Sequence, residues 1–165
     1  MKILISEIPD EGLDIENEEN IESDIIRSPV HIELRIDKVG TEVMIRGNLT
    51  AKADLQCSRC AIDFHSLLTI PVDAVYHPVE ELKGDENHEV ASDELNIDFY
   101  FGDELDIHSL VHEQVMLALP MKPLCSDICK GICPECGTDL NTGTCTCSTH
   151  TVDPRLEVLK KYFPE

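Results

Sequence analysis

Val43-Met-Ile-Arg-Gly47-Asn-Leu-Thr-Ala51-Lys-Ala-Asp-Leu55-Gln-Cys57-Ser-Arg-Cys60 puts an apolar or small residue at every odd position from Val43 to Cys57. Successive side chains of a strand point to opposite faces, so this spacing predicts one long half-buried strand, bent at Gly47, whose inward face runs up to a cysteine. Phe64, Ser66, Leu68, Ile70 and Val72 then resume the alternation on even positions. The CxxC between them is therefore the turn of a hairpin. Pro71 donates no backbone hydrogen bond, which makes the returning strand an edge or a strand end, and His77-Pro78 stops it.

Upstream, Val30, Ile32, Leu34 and Ile36 alternate with His31, Glu33, Arg35 and Asp37 in a second half-buried strand, and Lys38-Val-Gly40-Thr turns the chain. Lys2 to Ile5 reads as a short strand. Glu7 to Asp24 holds nine acidic residues and no basic one, the composition of a solvated surface loop. Downstream, Glu80 to Asp106 holds eleven acidic residues and one Lys, interrupted by the apolar strand Ile97-Asp-Phe99-Tyr-Phe101, with an exposed loop over Glu81 to Glu89. Leu105, Ile107, Leu110, Val111, Val115, Ala118 and Leu119 recur at helical spacing, predicting a helix from Asp106 to Leu119 that stops before Pro120. Asp153-Pro154 opens a short helix to Tyr162. The fold class is α+β: an antiparallel meander or partly open barrel, one packed helix and a C-terminal cysteine-rich, zinc-ribbon-like module. The expected domains are 1–120 and 121–165, packed as one unit.

Six of the eight cysteines fall between Leu124 and Cys147. Cys133-Pro-Glu-Cys136-Gly137 has the form of a metal knuckle: a tight turn sets two thiolates on one side, and glycine permits positive φ after the second. Cys145-Thr-Cys147, read as two strand residues facing the same way, completes a set of four. By counting, Cys57 and Cys60 then find partners in Cys125 and Cys129, whose CxxxC spacing fits one helical turn. The alternative division is one zinc in the tail and four buried or free thiols.

Thirteen Lys/Arg against 33 Asp/Glu give a formal charge of −20 in 165 residues. Such a surface repels nucleic acid and anionic membranes and attracts basic proteins, although acidity also serves solubility alone. The charge is uneven: from residue 121 onward five basic residues stand against six acidic, or −1, which leaves −19 upstream. Only a three-residue apolar run, Ile3 to Ile5, precedes the acidic stretch at the start, which does not read as a signal peptide, and no window approaches a membrane span. The expected location is the cytoplasm, where a reducing environment favours metal over disulfides for eight cysteines. His108 and His112, one helical turn apart beside Glu113, do not follow the HExxH order and are expected at the border of the buried stripe or in solvent. No Walker A motif, dinucleotide fingerprint or nucleophile elbow is present, and four ligands per zinc leave no open position for a catalytic water. Zinc is therefore expected to be structural.

Cys57-Ser-Arg-Cys60, then Leu117-Ala-Leu-Pro120-Met-Lys-Pro-Leu-Cys125, then Cys129-Lys-Gly131-Ile-Cys133-Pro-Glu-Cys136-Gly137-Thr-Asp-Leu-Asn141 resemble the YceD family, the large ribosomal RNA subunit accumulation proteins. The resemblance spans roughly Val30 to Cys147. It implies a non-catalytic role in synthesis, processing or stability of large-subunit (23S) ribosomal RNA. The family gene often neighbours that of a small zinc-ribbon protein of the large ribosomal subunit, and some relatives lack part of the tail cysteines, as a structural ribbon would allow. Two function classes stand side by side: a ribosome-biogenesis factor working through a basic ribosomal protein or a precursor large subunit, and a metal-dependent RNA-processing enzyme using carboxylate pairs such as Glu80-Glu81, Asp85-Glu86 or Asp103-Glu104. Direct backbone binding to RNA gains affinity through Lys and Arg, which are sparse and scattered here, so the expected contact is with protein.

Overall fold

In a computed structural model of the chain, residues 1–79 and 97–147 are described, and in it the 43–57 alternation becomes strand β4, Glu42–Gln56. Val43, Ile45, Leu49, Ala51, Ala53 and Leu55 are all buried along it. Each large aliphatic side chain so buried contributes about 1.5–3 kcal/mol, which fixes the register, because a slip of one residue would turn the whole row to solvent. Gly47 lies opposite Leu34 of β3 (Val30–Val39), with φ of +154°. A Cβ there would come within 2.0 Å of the Glu33 carbonyl oxygen, so the close approach of the two backbones requires glycine.

The chain divides into two compact units: Met1–Leu55 with His65–Met121, and Gln56–Phe64 with Lys122–Glu165. The first holds a five-stranded open sheet in the order β2-β3-β4-β5-β6, where β2 is Leu13–Glu19, β5 Asp63–Pro78 and β6 Ile97–Tyr100. A second sheet pairs β1 (Lys2–Leu4) with β7 (Glu104–Asp106) antiparallel. Helix α1, Ile107–Ala118, follows β7 directly, with Asp106 as N-cap accepting from the His108 and Ser109 N–H groups. It buries Ile107, Leu110, Val111 and Val115. Among the described residues no helix is long and apolar enough to cross a membrane.

Two expectations are corrected. The acidic stretch from Glu7 to Asp24 is not all loop, because its middle forms β2, with Leu13 opposite Ile36 and Asn17 opposite Ile32. Leu13 and Ile15 are half-buried while Asp14 and Glu16 face solvent, an alternation that the surrounding acidic residues hide; Arg35 holds Asp14 across the strands at 3.0 Å. At the other edge the sheet is mixed and not a purely antiparallel meander: β6 runs parallel to β5, Val75 opposite Ile97 and Pro78 opposite Tyr100. Parallel neighbours need a crossover of about a dozen residues or more, and the stretch between Pro78 and Ile97 is long enough to supply one. β6 pairs with β5 only over Val75–Pro78, so the missing N–H of Pro71 costs no bond on that side. The loop read at Glu81–Glu89 and the helix read at Asp153–Tyr162 lie outside the described residues.

Candidate metal centres

The second unit joins the turn between β4 and β5 to the tail, and it contains all eight cysteines. Two knuckles within it share one backbone pattern. In Cys57-Ser-Arg-Cys60-Ala61 the Ala61 N–H donates to the Cys57 carbonyl at 2.9 Å, and the Cys57 N–H donates to the Ile62 carbonyl at 2.9 Å. In Cys133-Pro-Glu-Cys136-Gly137 the Gly137 N–H donates to the Cys133 carbonyl at 2.9 Å, and the Cys133 N–H to the Thr138 carbonyl at 2.8 Å. The residue after the second cysteine is left-handed in both, Ala61 at φ 56° and Gly137 at φ 72°.

The sulfurs of Cys57, Cys60, Cys125 and Cys129 lie within 4.8 Å of one another, and so do those of Cys133, Cys136, Cys145 and Cys147. In the first quartet Cys57 and Cys129 stand 3.8 Å apart and Cys60 and Cys125 3.5 Å. Tetrahedral coordination with Zn–S bonds of about 2.3 Å needs sulfurs about 3.8 Å apart, so both the donor set and its spacing suit such an ion. Cys57, Cys60 and Cys129 are buried with Phe64 and Leu124 packed against them. The second quartet is more open: Cys133 is buried, Cys145 and Cys147 are half-buried, and Cys136 is exposed.

Local structure at the later cysteines differs from the sequence reading. Cys125 and Cys129 sit on a turn over Asp127–Ile128, closed by the Cys129 N–H on the Ser126 carbonyl at 3.0 Å, and not on a helix. Cys145 and Cys147 lie in irregular chain, not on a strand. The only pairing in the tail is an isolated bridge between Ile132 and Asp139, among the described residues.

Supporting residues went unread in the sequence. Arg59 donates to the Cys129 carbonyl at 2.8 Å, and its own carbonyl accepts from the Ile132 N–H at 3.2 Å. Gly131, at φ 77°, allows that approach, since a Cβ there would stand 2.9 Å from the Arg59 carbonyl oxygen. Asn141 donates from Nδ2 to the Cys129 sulfur at 3.4 Å and accepts from the Lys130 N–H at 2.8 Å. The Thr138 hydroxyl lies 3.1 Å from the Cys136 sulfur. A side chain that orients a ligand has no spacing rule, and so leaves no pattern to find.

Without metal, each quartet divides its protons unevenly. Cys57 is lowered to about 6, chiefly by the backbone N–H of Cys125. Cys136 is lowered to about 6 by the Thr138 hydroxyl and N–H. Cys125 is pushed up to about 12 by its hydrogen bond with Cys60 and by burial, and Cys147 to about 12 by Cys136 and burial. A metal ion entering either site must displace the protons of the high thiols.

His108 does not face a partner histidine: its Nδ1 lies 2.8 Å from Glu19 Oε1. Of the carboxylate pairs, Asp103 accepts from the Ser6 N–H at 2.9 Å and from the Ser6 hydroxyl, and Glu104 is bound by Lys2 at 2.8 Å, so both serve the β1–β7 corner. The other two pairs lie outside the described residues.

Residues 45–162 match the model of a family described as the large ribosomal RNA subunit accumulation protein YceD, and both quartets fall within that match. An uncharacterized Bacillus subtilis protein, YlbN, is 28% identical over 160 residues, 94% of this chain and 87% of the relative. An uncharacterized Mycobacterium leprae protein is 26% identical over 114 residues, 68% of this chain; the aligned part is 50% of that protein. The chain thus spans about half the length of this mycobacterial relative. A maize protein named as a chloroplastic YCED homolog is 36% identical over 61 residues, 36% of this chain and 20% of its own length. No solved structure matches.

Proposed function

We propose, from the premise that the chain belongs to the YceD family, that it is a non-catalytic cytoplasmic factor supporting the synthesis, processing or stability of large-subunit (23S) ribosomal RNA. The match over residues 45–162 carries the reading. The chemistry of the second unit agrees with it: two four-sulfur sets fill the coordination of two zinc ions, the second in a ribbon-like site, and leave no position for a reacting water. Zinc here ties chain segments together.

The factor works through a basic protein, a ribosomal protein or one on a precursor large subunit, and not by holding RNA on its own surface. A formal charge of −20 repels phosphate across the roughly 8–10 Å that physiological salt leaves unscreened and steers a cationic protein inward. Depletion of the protein in its host should lower 23S relative to 16S RNA, with recovery on re-expression. Tagged protein captured at low salt should bring basic large-subunit proteins. Tight binding of the purified chain to naked 23S RNA at physiological salt, with none to those proteins, would refute the reading.

A further inference from the structure

The edge of the five-stranded sheet at β6 carries a surface unlike the rest. Phe99 is 45% exposed and Phe101 75%. They border a cleft of about 430 Å³ among β6, β7 and α1, with Tyr76 and the buried Leu105 and Leu110 also lining it. Four carboxylates and one ammonium line it, Asp98, Glu104, Asp106 and Glu113 against Lys2, a formal 1 − 4 = −3. Lys2 is committed to Glu104 at 2.8 Å and Asp106 to capping α1. Glu113 accepts only from the Ser109 hydroxyl at 3.3 Å, and neither it nor Asp98 makes an ion pair among the described residues. The surplus field is felt inside the cleft: burial, then the charges of Asp98, Glu113 and Asp106, hold the Tyr76 hydroxyl above its ordinary pKa, and burial with Glu113 raises Asp98.

Charge and shape select the occupant. An RNA phosphate would be repelled. A divalent ion wants carboxylate oxygens converging on a point, and among the described residues only the cysteine quartets converge in that way. A guanidinium meets both features of the cleft, since it pairs with carboxylates and stacks on aromatic faces, which a compact ammonium does less well. We propose that this cleft docks an arginine-bearing segment of a basic protein, its guanidinium groups lying on Phe99 and Phe101 and pairing with Asp98 and Glu113. The proposal rests on the basic-partner reading above and gives that partner a site.

The test uses the purified full chain and three fluorescent peptides of alternating glycine with arginine, lysine or glutamate, followed by anisotropy at about 0.15 M salt. The arginine peptide binds best and the glutamate peptide not at all. Asp98→Asn with Glu113→Gln weakens the arginine peptide at least tenfold, and Phe101→Ala weakens it about fivefold while changing the lysine peptide less than twofold. Glu16→Gln with Glu33→Gln, which removes the same charge from exposed positions on β2 and β3, changes either peptide less than twofold. Circular dichroism and thiol titration verify that each variant is folded. Equal losses in the two double variants would overturn the site and leave the basic-partner reading standing. Failure of the unaltered chain to bind any cationic peptide would overturn both.

Discussion

The two cysteine quartets start from the same knuckle and are wired differently. The first joins a hairpin tip to sulfurs 65 and 72 residues further along the chain, with Phe64 and Leu124 packed on it. The second draws all its sulfurs from residues 133–147 and buries only Cys133, whereas the first buries three of its four, Cys125 being exposed. One local device thus serves as a long-range tie in one place and as the core of a small loop in the other. Closing a loop of about 70 residues removes about 4 kcal/mol of chain entropy from the unfolded state, against about 3 kcal/mol for about ten residues, so the tie is expected to matter more.

Breaking the tie should have the largest effect. Cys57→Ser with Cys129→Ser should lose one zinc per chain by metal analysis and leave residues 57–62 and 122–131 unprotected in hydrogen exchange, while the β2–β5 amides stay protected. Cys133→Ser with Cys136→Ser should also lose one zinc but keep protection at residues 57–62. If the two variants lose protection to the same extent, the quartets form one cooperative site and the contrast between them fails.

Acidification probes what they share. Each has one thiol at about 6, Cys57 or Cys136, and one at about 12, Cys125 or Cys147. At pH 7 the first kind is ionised and the second must give its proton to solvent when metal enters, so affinity rises with pH. Below about pH 6 the low thiols protonate too and zinc is lost more steeply, by roughly tenfold per displaced proton per pH unit. Chelator competition from pH 8 to 5 should show both centres weakening together, and a first centre indifferent to pH would contradict the shared chemistry.

The smallest contrast lies at the residue that ends each knuckle. Gly137→Ala should cost about 1 kcal/mol from its left-handed backbone alone, because a Cβ there meets nothing within 4 Å. Ala61→Gly reverses both contributions, relieving the strain that Gly137→Ala introduces and freeing the unfolded chain that Gly137→Ala restricts, so it should stabilise by a similar amount, about 1 kcal/mol. Paired denaturant titrations read both, and clearly unequal magnitudes would mean that one knuckle is strained beyond its φ.

How much of this was legible in the sequence depends on whether a pattern is periodic. β3, β4, β5 and α1 carry periods of 2 or 3.6 over many residues, and Val43, Ile45, Leu110 and Val115 are buried where those periods place them. The strand β2 was missed because an edge strand needs only backbone partners and a half-buried pair such as Leu13 and Ile15, which nine acidic residues conceal. The parallel sense of β6 was not readable either, since direction depends on where the preceding connection runs. Counting, with the CxxC and CxxxC spacings, divided the cysteines into the two sets whose sulfurs lie within 4.8 Å of one another, and left open four free thiols beside a single site. Arg59, Thr138 and Asn141 were beyond it.

The hairpin tip and the tail leave the ribosome at different times. Cys60 is made 65 residues before Cys125, an interval of roughly 3–13 s at about 5–20 residues per second. Throughout that interval the hairpin can form its strands but holds two thiols without their later partners, and Cys57 still lacks the Cys125 N–H that lowers its pKa in the finished chain. Each new molecule therefore passes through a stage in which only half of the first quartet exists, and assembly of that quartet reports that synthesis has gone past Cys129.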